Sequence, residues 1–225
     1  MSRTLDKATN LVLLVAAVVS CAIIVRREVI SSSRSQAAGP ATLEPSYEKL
    51  KQIGRTTGLP NARLNVLVLS DFECPACRNF ERMLRAFMAG HHSEVSYTFV
   101  HYPLSYHANA VKAATAAECA ADQGRFEQVH NELFDSQDSI AILNFPSLAA
   151  RNDIADSTAF VQCMMATRQP WRIAEGIASG NTMKVTGTPT VLLNGWRQSR
   201  LPSLQQLDSA LAVEGRGRSE ESIRR

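Results

Sequence analysis

Residues 66–77 read VLVLSDFECPAC. The run that includes them, Leu64 to Ser70 (LNVLVLS), is short, apolar and rich in β-branched residues, which predicts a strand buried on both faces. The segment from Asp71 to Pro75 turns the chain. From Ala76 to Ala89 the residues Cys77, Phe80, Leu84, Phe87 and Met88 recur at helical spacing, with Arg78, Arg82 and Arg85 largely opposite. Gly90 marks the end of that helix. Val95 to Val100 (VSYTFV) predicts a second strand. Cys74 therefore stands where a strand meets a helix N-terminus, and Cys77 lies one turn in.

That position has chemical consequences. A helix N-terminus offers unpaired N–H groups and about half a positive charge, both of which favour a thiolate over a thiol. Cys74 is thus the expected attacking or attacked sulfur, with a depressed pKa. Cys77, further inside, is the expected resolving thiol. Pro75 suits the first helical turn, where its missing N–H is no loss. The competing reading of Cys-x-x-Cys is half of a zinc site completed by His91, His92 or His101. A second cysteine pair, or a histidine pair three to five residues apart, is absent from the sequence. A dithiol needing neither metal nor cofactor is the better reading.

A second signal lies far away. VTGTPTVLLNG, residues 185–195, reads as a strand interrupted by Pro189 and followed by an Asn-Gly hairpin turn. Proline is normally excluded from strand interiors. Either Pro189 sits on a plain sheet edge, or a cis Thr188-Pro189 bond leaves the Thr188 backbone open to an extended peptide.

Around these segments the chain is ordinary in bulk. Its 225 residues suffice for one domain with a proper core, and a net charge of +3 gives no electrostatic case for nucleic acid. The N-terminus is distinctive. Leu11 to Val25 (LVLLVAAVVSCAIIV) carries no charge, and Arg26 and Arg27 follow directly. A small-x-small cleavage site is missing there, so residues 1–30 are read as an uncleaved signal anchor rather than a cleaved signal. Cys21 only loosely fits a lipidation site, because the apolar run continues past it. Residues 31–46 form a Ser/Ala/Pro-rich flexible linker. The folded domain is expected over 47–213, ending in an amphipathic helix from Pro202 to Val213 with Leu204, Leu207 and Leu211 on one side. The charged tail 214–225 is expected to be disordered.

Together VLVLSDFECPAC, YHANAVKAATAAECAADQGRFEQVHNELF (106–134) and GTPTVLLNG resemble the DsbA-like thiol–disulfide oxidoreductases of the thioredoxin superfamily. The resemblance implies an α/β thioredoxin fold preceded by one N-terminal hydrophobic helix. Pro189 follows Cys77 by more than a hundred residues, room for an inserted helical domain at about 105–184. Four helices are expected there, at His107–Asp122, Arg125–Asp135, Ser157–Thr167 and about Pro170–Lys184. The resemblance implies catalysis by Cys74 and Cys77, and a client held against Thr188 and Pro189. Asp71, Glu73, Pro75 and Ala76 make up the supporting loop.

Some DsbA-like relatives carry a second disulfide in the insert, and Cys119 and Cys163 look similar in position. Bonded, they would close a loop of about 44 residues, contributing about 3–4 kcal/mol in the chain-entropy model. In one respect the sequence departs from its relatives. Thioredoxin and DsbA place an acidic residue six positions before the first cysteine, where this chain has Val68. Asp71 and Glu73 are nearer, and either capping of the helix start or handling of the Cys77 proton is open to them.

The function so implied is exchange of disulfides with protein substrates through Cys-Pro-Ala-Cys, in the oxidising direction. Reoxidation would fall to a membrane partner of the DsbB or vitamin K epoxide reductase type. The domain is placed on the periplasmic, extracytoplasmic side of the inner (cytoplasmic) membrane, held by a single N-terminal span. A reductase or isomerase in the same compartment, and a client-binding module with an incidental cysteine pair, are the alternatives.

Overall fold

The computed structural model describes residues 40–223 and Ser20, with side chains as far as Val213. Apart from Ser20, the proposed anchor, with Cys21, and linker residues 31–39 lie outside the described residues. Among the described residues no helix is long and apolar enough to cross a membrane.

The elements in chain order are β1 (Thr42–Leu43), α1 (Tyr47–Ile53), β2 (Arg55–Thr57), β3 (Leu64–Ser70), α2 (Pro75–Gly90) and β4 (Val95–His101). Then come α3 (Ala110–Ala121), α4 (Phe126–Asp135), a 3-10 turn (Gln137–Ile142), α5 (Phe145–Arg151), α6 (Ser157–Met165) and α7 (Trp171–Thr182). The chain closes with β5 (Thr190–Leu193), β6 (Trp196–Arg197) and α8 (Leu204–Ile223). The sheet order is β1-β6-β5-β3-β4-β2. Central β3 is parallel to β4 and antiparallel to β5. The mixed sheet with helices on both faces is the thioredoxin-type α/β fold, and α3 to α7 are the insert between β4 and β5.

Every residue of β3 is buried because both of its faces are covered. Val66 and Val68 point into the larger core with Phe80, Leu84 and the insert helices. Leu67 and Leu69, on the opposite face, meet Leu50 and Ile53 of α1 and Leu192 of β5. This two-sided burial explains an unbroken apolar run where a half-exposed strand would alternate. Helix α7 can press against β4 because residue 176 is glycine: a Cβ there would lie 2.0 Å from the His101 carbonyl oxygen. The β5–β6 hairpin turns at Asn194 and Gly195, both at positive φ (46° and 88°), the geometry that an Asn-Gly pair supplies.

The structure differs from the sequence reading at the edges. Thr42 and Leu43, read as linker, pair with Arg197 and Trp196 and add an edge strand. The short helix α5 and the 3-10 turn fall between expected helices. Helix α3 begins at Ala110 rather than His107, because His107 and Asn109 are engaged by acidic residues near Cys74. Helix α8 runs on to Ile223, where an irregular tail was expected after Val213. Leu207 and Leu211 are buried in it, whereas Leu204, its first residue, is exposed. Ser203 and Gln206 exchange hydrogen bonds at its start in a reciprocal cap.

Candidate active site

Cys74 is the N-cap residue of α2, in extended backbone geometry (φ −79°, ψ 118°), and Pro75 takes the first turn. The Thr188-Pro189 peptide bond is cis. Cys74 Sγ lies 3.3 Å from the Thr188 carbonyl oxygen, to which the thiol form donates. The strand end of β3 and the start of β5, adjacent in the sheet, bring together residues 114 apart in sequence. Cys74 and Cys77 are both free thiols and both buried.

The two sulfurs are electrostatically unlike. The Cys74 pKa falls from its ordinary 9.0 to about 5. A hydrogen bond from the Cys77 side chain is the largest cause, outweighing burial, which pushes the other way. The Thr188 side chain and the backbone N–H groups of Cys77 and Ala76 add to the lowering. The helix N-terminus therefore helps as the sequence suggests, but the partner cysteine does more. The Cys77 thiol is pushed far up, first by burial and then by its hydrogen bond to Cys74; the Ser70 side chain partly opposes this. One sulfur is built to be an anion and the other to keep its proton.

Asp71 and Glu73 do not cap α2, whose N-cap residue is Cys74; their carboxylates bond elsewhere. Instead they tie the active-site turn to the loop before α3. Asp71 is buried. Its Oδ1 accepts from the Glu73 N–H (2.8 Å), and its Oδ2 accepts from the Leu104 N–H (2.7 Å) and lies 2.8 Å from His107 Nδ1. Glu73 accepts from the backbone and side-chain N–H groups of Asn109, at 2.6 and 3.0 Å. Both carboxylates are thus committed to holding the loop. Ala76, in the first turn, contributes its backbone N–H to Cys74.

Two further residues escaped the sequence reading. Gln137, in the 3-10 turn of the insert, donates Nε2–H bonds to the carbonyls of Phe72 (2.6 Å) and Cys74 (3.0 Å). It clamps the turn that carries the reactive sulfur, and nothing in sequence marks a glutamine 63 residues away as its partner. Glu81 is buried on the apolar face of α2, between Phe80 and Leu84, and accepts a 2.7 Å hydrogen bond from the Tyr97 hydroxyl. A carboxylate in the middle of an apolar stripe was the signal available for it.

Cys119 and Cys163 are bonded, with Cα atoms 5.8 Å apart. The bond joins α3 to α6, and α6 is capped by Asp156, which accepts from the Ala159 N–H (2.8 Å). His101 is buried and pairs with Glu118 (2.9 Å), which Arg55 also holds (2.6 Å). It takes part in a polar network joining β2, β4 and α3. His91 caps α2, its Nδ1 lying 2.9 Å from the Phe87 carbonyl.

A thioredoxin fold with a helical insert, presenting a Cys-x-x-Cys at a helix start against a cis-proline loop, defines a class of dithiol protein. The thioredoxin family model matches residues 51–212, and the chain belongs to that family. Its fold is that of the DsbA-like proteins. A thioredoxin-like oxidoreductase from Silicibacter pomeroyi superposes with a TM-score of 0.62 at 20% identity, covering 76% of this chain and 97% of that one. BdbD from Bacillus subtilis gives 0.62 at 17% identity, covering 79% and 96%. Alpha-DsbA1 from Wolbachia pipientis gives 0.61 at 20%, covering 74% and 94%.

Among curated proteins, a Na(+)/H(+) antiporter NhaA 3 of Salinispora tropica is 34% identical over 155 residues, 68% of this chain and 24% of the antiporter. An NhaA 1 of Mycolicibacterium gilvum is 32% identical over 143 residues, 62% and 23% of the respective lengths. The chain spans about a quarter of the length of these curated relatives.

Proposed function

We propose that this protein exchanges disulfides with protein substrates through Cys74 and Cys77, and that it works as an oxidase. The observation that carries the reading is the opposed environment of the two sulfurs: at the head of α2 the Cys77 side chain and backbone N–H groups favour the Cys74 thiolate, whereas burial favours the Cys77 thiol. In the oxidised protein a client thiolate attacks Cys74 Sγ. The Cys74–Cys77 bond breaks, its electron pair goes to Cys77, and Cys77 takes a proton. A second client thiolate then attacks the client sulfur of the mixed disulfide, forming the client's disulfide and releasing Cys74 as a thiolate. The client loses two electrons and the Cys pair gains them. A stabilised Cys74 thiolate favours the reduced form and so makes the disulfide oxidising.

The client lies extended against Thr188 and Pro189, where exposed main chain can pair with it. Residues 1–30 anchor the protein in the inner membrane with the domain outside, and a quinone-coupled partner of the DsbB or vitamin K epoxide reductase type reoxidises it. The uncharged run from Leu11 to Val25 and the Cys119–Cys163 bond support that placement, since such bonds persist in oxidising compartments. The name antiporter belongs to whole relatives about three times as long, and ion transport is not part of this reading.

The test joins two measurements. The reduction potential against glutathione should lie above that of the glutathione pool, and Cys77→Ala should trap mixed disulfides on Cys74. A strongly reducing potential would reverse the direction. A Cys74→Ser protein that retained full activity toward clients would remove the chemistry altogether.

A further inference from the structure

A client strand laid along Thr188 does not end there, and the surface on which it continues carries charge. Gly187 and Pro189, the two neighbours of Thr188, both line a cavity of about 340 Å³ whose other walls include Arg197 and Arg200. The fold holds this cavity in shape. The Thr190 hydroxyl donates to the Gly187 carbonyl (2.9 Å), and the Gln198 N–H donates to the Val191 carbonyl (2.9 Å), which pins the segment after β6 against β5. A Cβ built on Gly187 would meet nothing within 4 Å, so the space beside the loop can take an incoming side chain.

The charge here has one sign. From residue 176 to residue 207 the chain carries Lys184, Arg197 and Arg200 and no Asp or Glu. Among the described residues that line the cavity none is acidic. Arg197 is half-buried in β6, opposite Leu192 of β5, and its Nη1 donates to the Met183 carbonyl (2.9 Å). That bond uses one of the five N–H donors of a guanidinium and fixes the group without neutralising it. Arg200 stands exposed at the rim.

The acids around Cys74 do not offset that charge, because each is committed elsewhere. Asp71 is held by Leu104 and His107, Glu73 by Asn109, and Asp138, which follows the Gln137 clamp, by Arg78 (3.0 Å). A client that reaches Thr188 therefore meets positive charge directly beside the residue it pairs with. An arginine fork matches a carboxylate in both charge and geometry. An extended client advances about 3.3 Å per residue, so three residues span about 10 Å.

We propose that this cavity is a client subsite selecting acidic sequence: Arg197 and Arg200 receive the carboxylate of an Asp or Glu that lies within about three residues of the client cysteine. The proposal rests on the thiol–disulfide reading above and adds to it the class of client. The subsite captures and orients the strand, and the exchange at Cys74 proceeds by the steps already given. Because the cavity opens to solvent, the attraction is screened by salt and acts on capture.

The experiment uses the full-length oxidised protein and a set of short dithiol peptides, identical except for Asp, Asn or Lys at one of the three positions on either side of the first cysteine. The second-order rate constant of peptide oxidation is measured in single turnover. At low ionic strength the best-placed Asp should react about two- to five-fold faster than its Asn counterpart, with Lys slower than both, and the preference should shrink toward unity in molar salt. Variants are judged by the ratio of acidic to neutral peptide in the same protein, so that a general loss of activity cancels. Arg197→Gln combined with Arg200→Gln should bring the ratio to about one, and Arg200→Glu should turn it in favour of Lys. A wild-type protein that oxidises all the peptides at one rate, or a double variant that keeps the full preference, would overturn the proposal and leave the exchange chemistry intact. A wild-type protein that oxidises none of them would overturn both.

Discussion

Cys74 Sγ and the Thr188 carbonyl oxygen are 3.3 Å apart, across 114 residues of sequence. The contact joins the start of α2 to the loop that enters β5, and it exists because β3 and β5 are neighbours in the sheet. A client strand laid along Thr188 would deliver its own sulfur to Cys74. On the proposed reading, recognition and chemistry would share one residue.

The Thr188 side chain is one of the groups that lower Cys74. Thr188→Val keeps the shape and removes the hydroxyl. The midpoint of Cys74 alkylation should rise by about one pH unit, since hydrogen bonds to the anion lower its pKa. No change would mean that the Cys77 side chain and backbone N–H groups account for the whole effect.

Cys74 also makes the reduced protein's stability depend on pH. Its folded pKa is depressed, so the stabilisation is fully present above the unfolded value of about 9 and is lost as pH falls toward about 5. Cys77 has the opposite sign. Its raised folded pKa subtracts stability once the unfolded thiol ionises, above about pH 9. Urea unfolding of the reduced protein, referred to the oxidised one, should show a difference that grows in favour of the reduced form from pH 5 to 8 and declines again at strongly alkaline pH. A difference flat from pH 5 to 8 would contradict the assignment.

Gln137→Ala removes both hydrogen bonds to the Cys74 turn and leaves the Phe72 and Cys74 carbonyls short of a donor. A loss of about 1–3 kcal/mol in unfolding free energy is expected. Slower exchange with a peptide disulfide should accompany it, because the reactive sulfur is less well fixed. Full stability in chemical denaturation would show the clamp to be dispensable.

Replacing both Cys119 and Cys163 by alanine opens a loop of 44 residues and should remove about 3–4 kcal/mol. Neither residue touches the Cys74–Thr188 contact, so the Cys74 alkylation midpoint should stay put. A shifted midpoint would reveal coupling between the insert and the active site.

The parts of this fold with strong local periodicity were readable in advance. The apolar run of β3, the one-sided face of α2 and the Asn-Gly turn each fall where the residues put them. The edges were less legible. Thr42 and Leu43 form a strand only because Arg197 and Trp196 lie beside them, and two residues carry no period. The same holds for the site. The cysteines announce themselves by spacing and by the helix that follows, whereas the roles of Asp71, Glu73 and Gln137 depend on partners 33 to 65 residues away. Capping of α2 was one of two roles open to Asp71 and Glu73, because their distance from Cys74 allows it. They bind the α3 loop instead because that loop offers otherwise unpaired N–H groups. Glu81 stood as an acid on an apolar face and went unread, and the cavity that it lines is made by α2, β2, β4 and α4 together.

The most direct test of the account is the pH dependence of Cys74 alkylation in the reduced protein, with the modified residue identified by mass. The account predicts a half-maximal rate near pH 5, with Cys77 unreactive throughout. A midpoint near 9, with both sulfurs reacting alike, would mean that no stabilised anion exists at the head of α2 and that the pair is not poised for exchange.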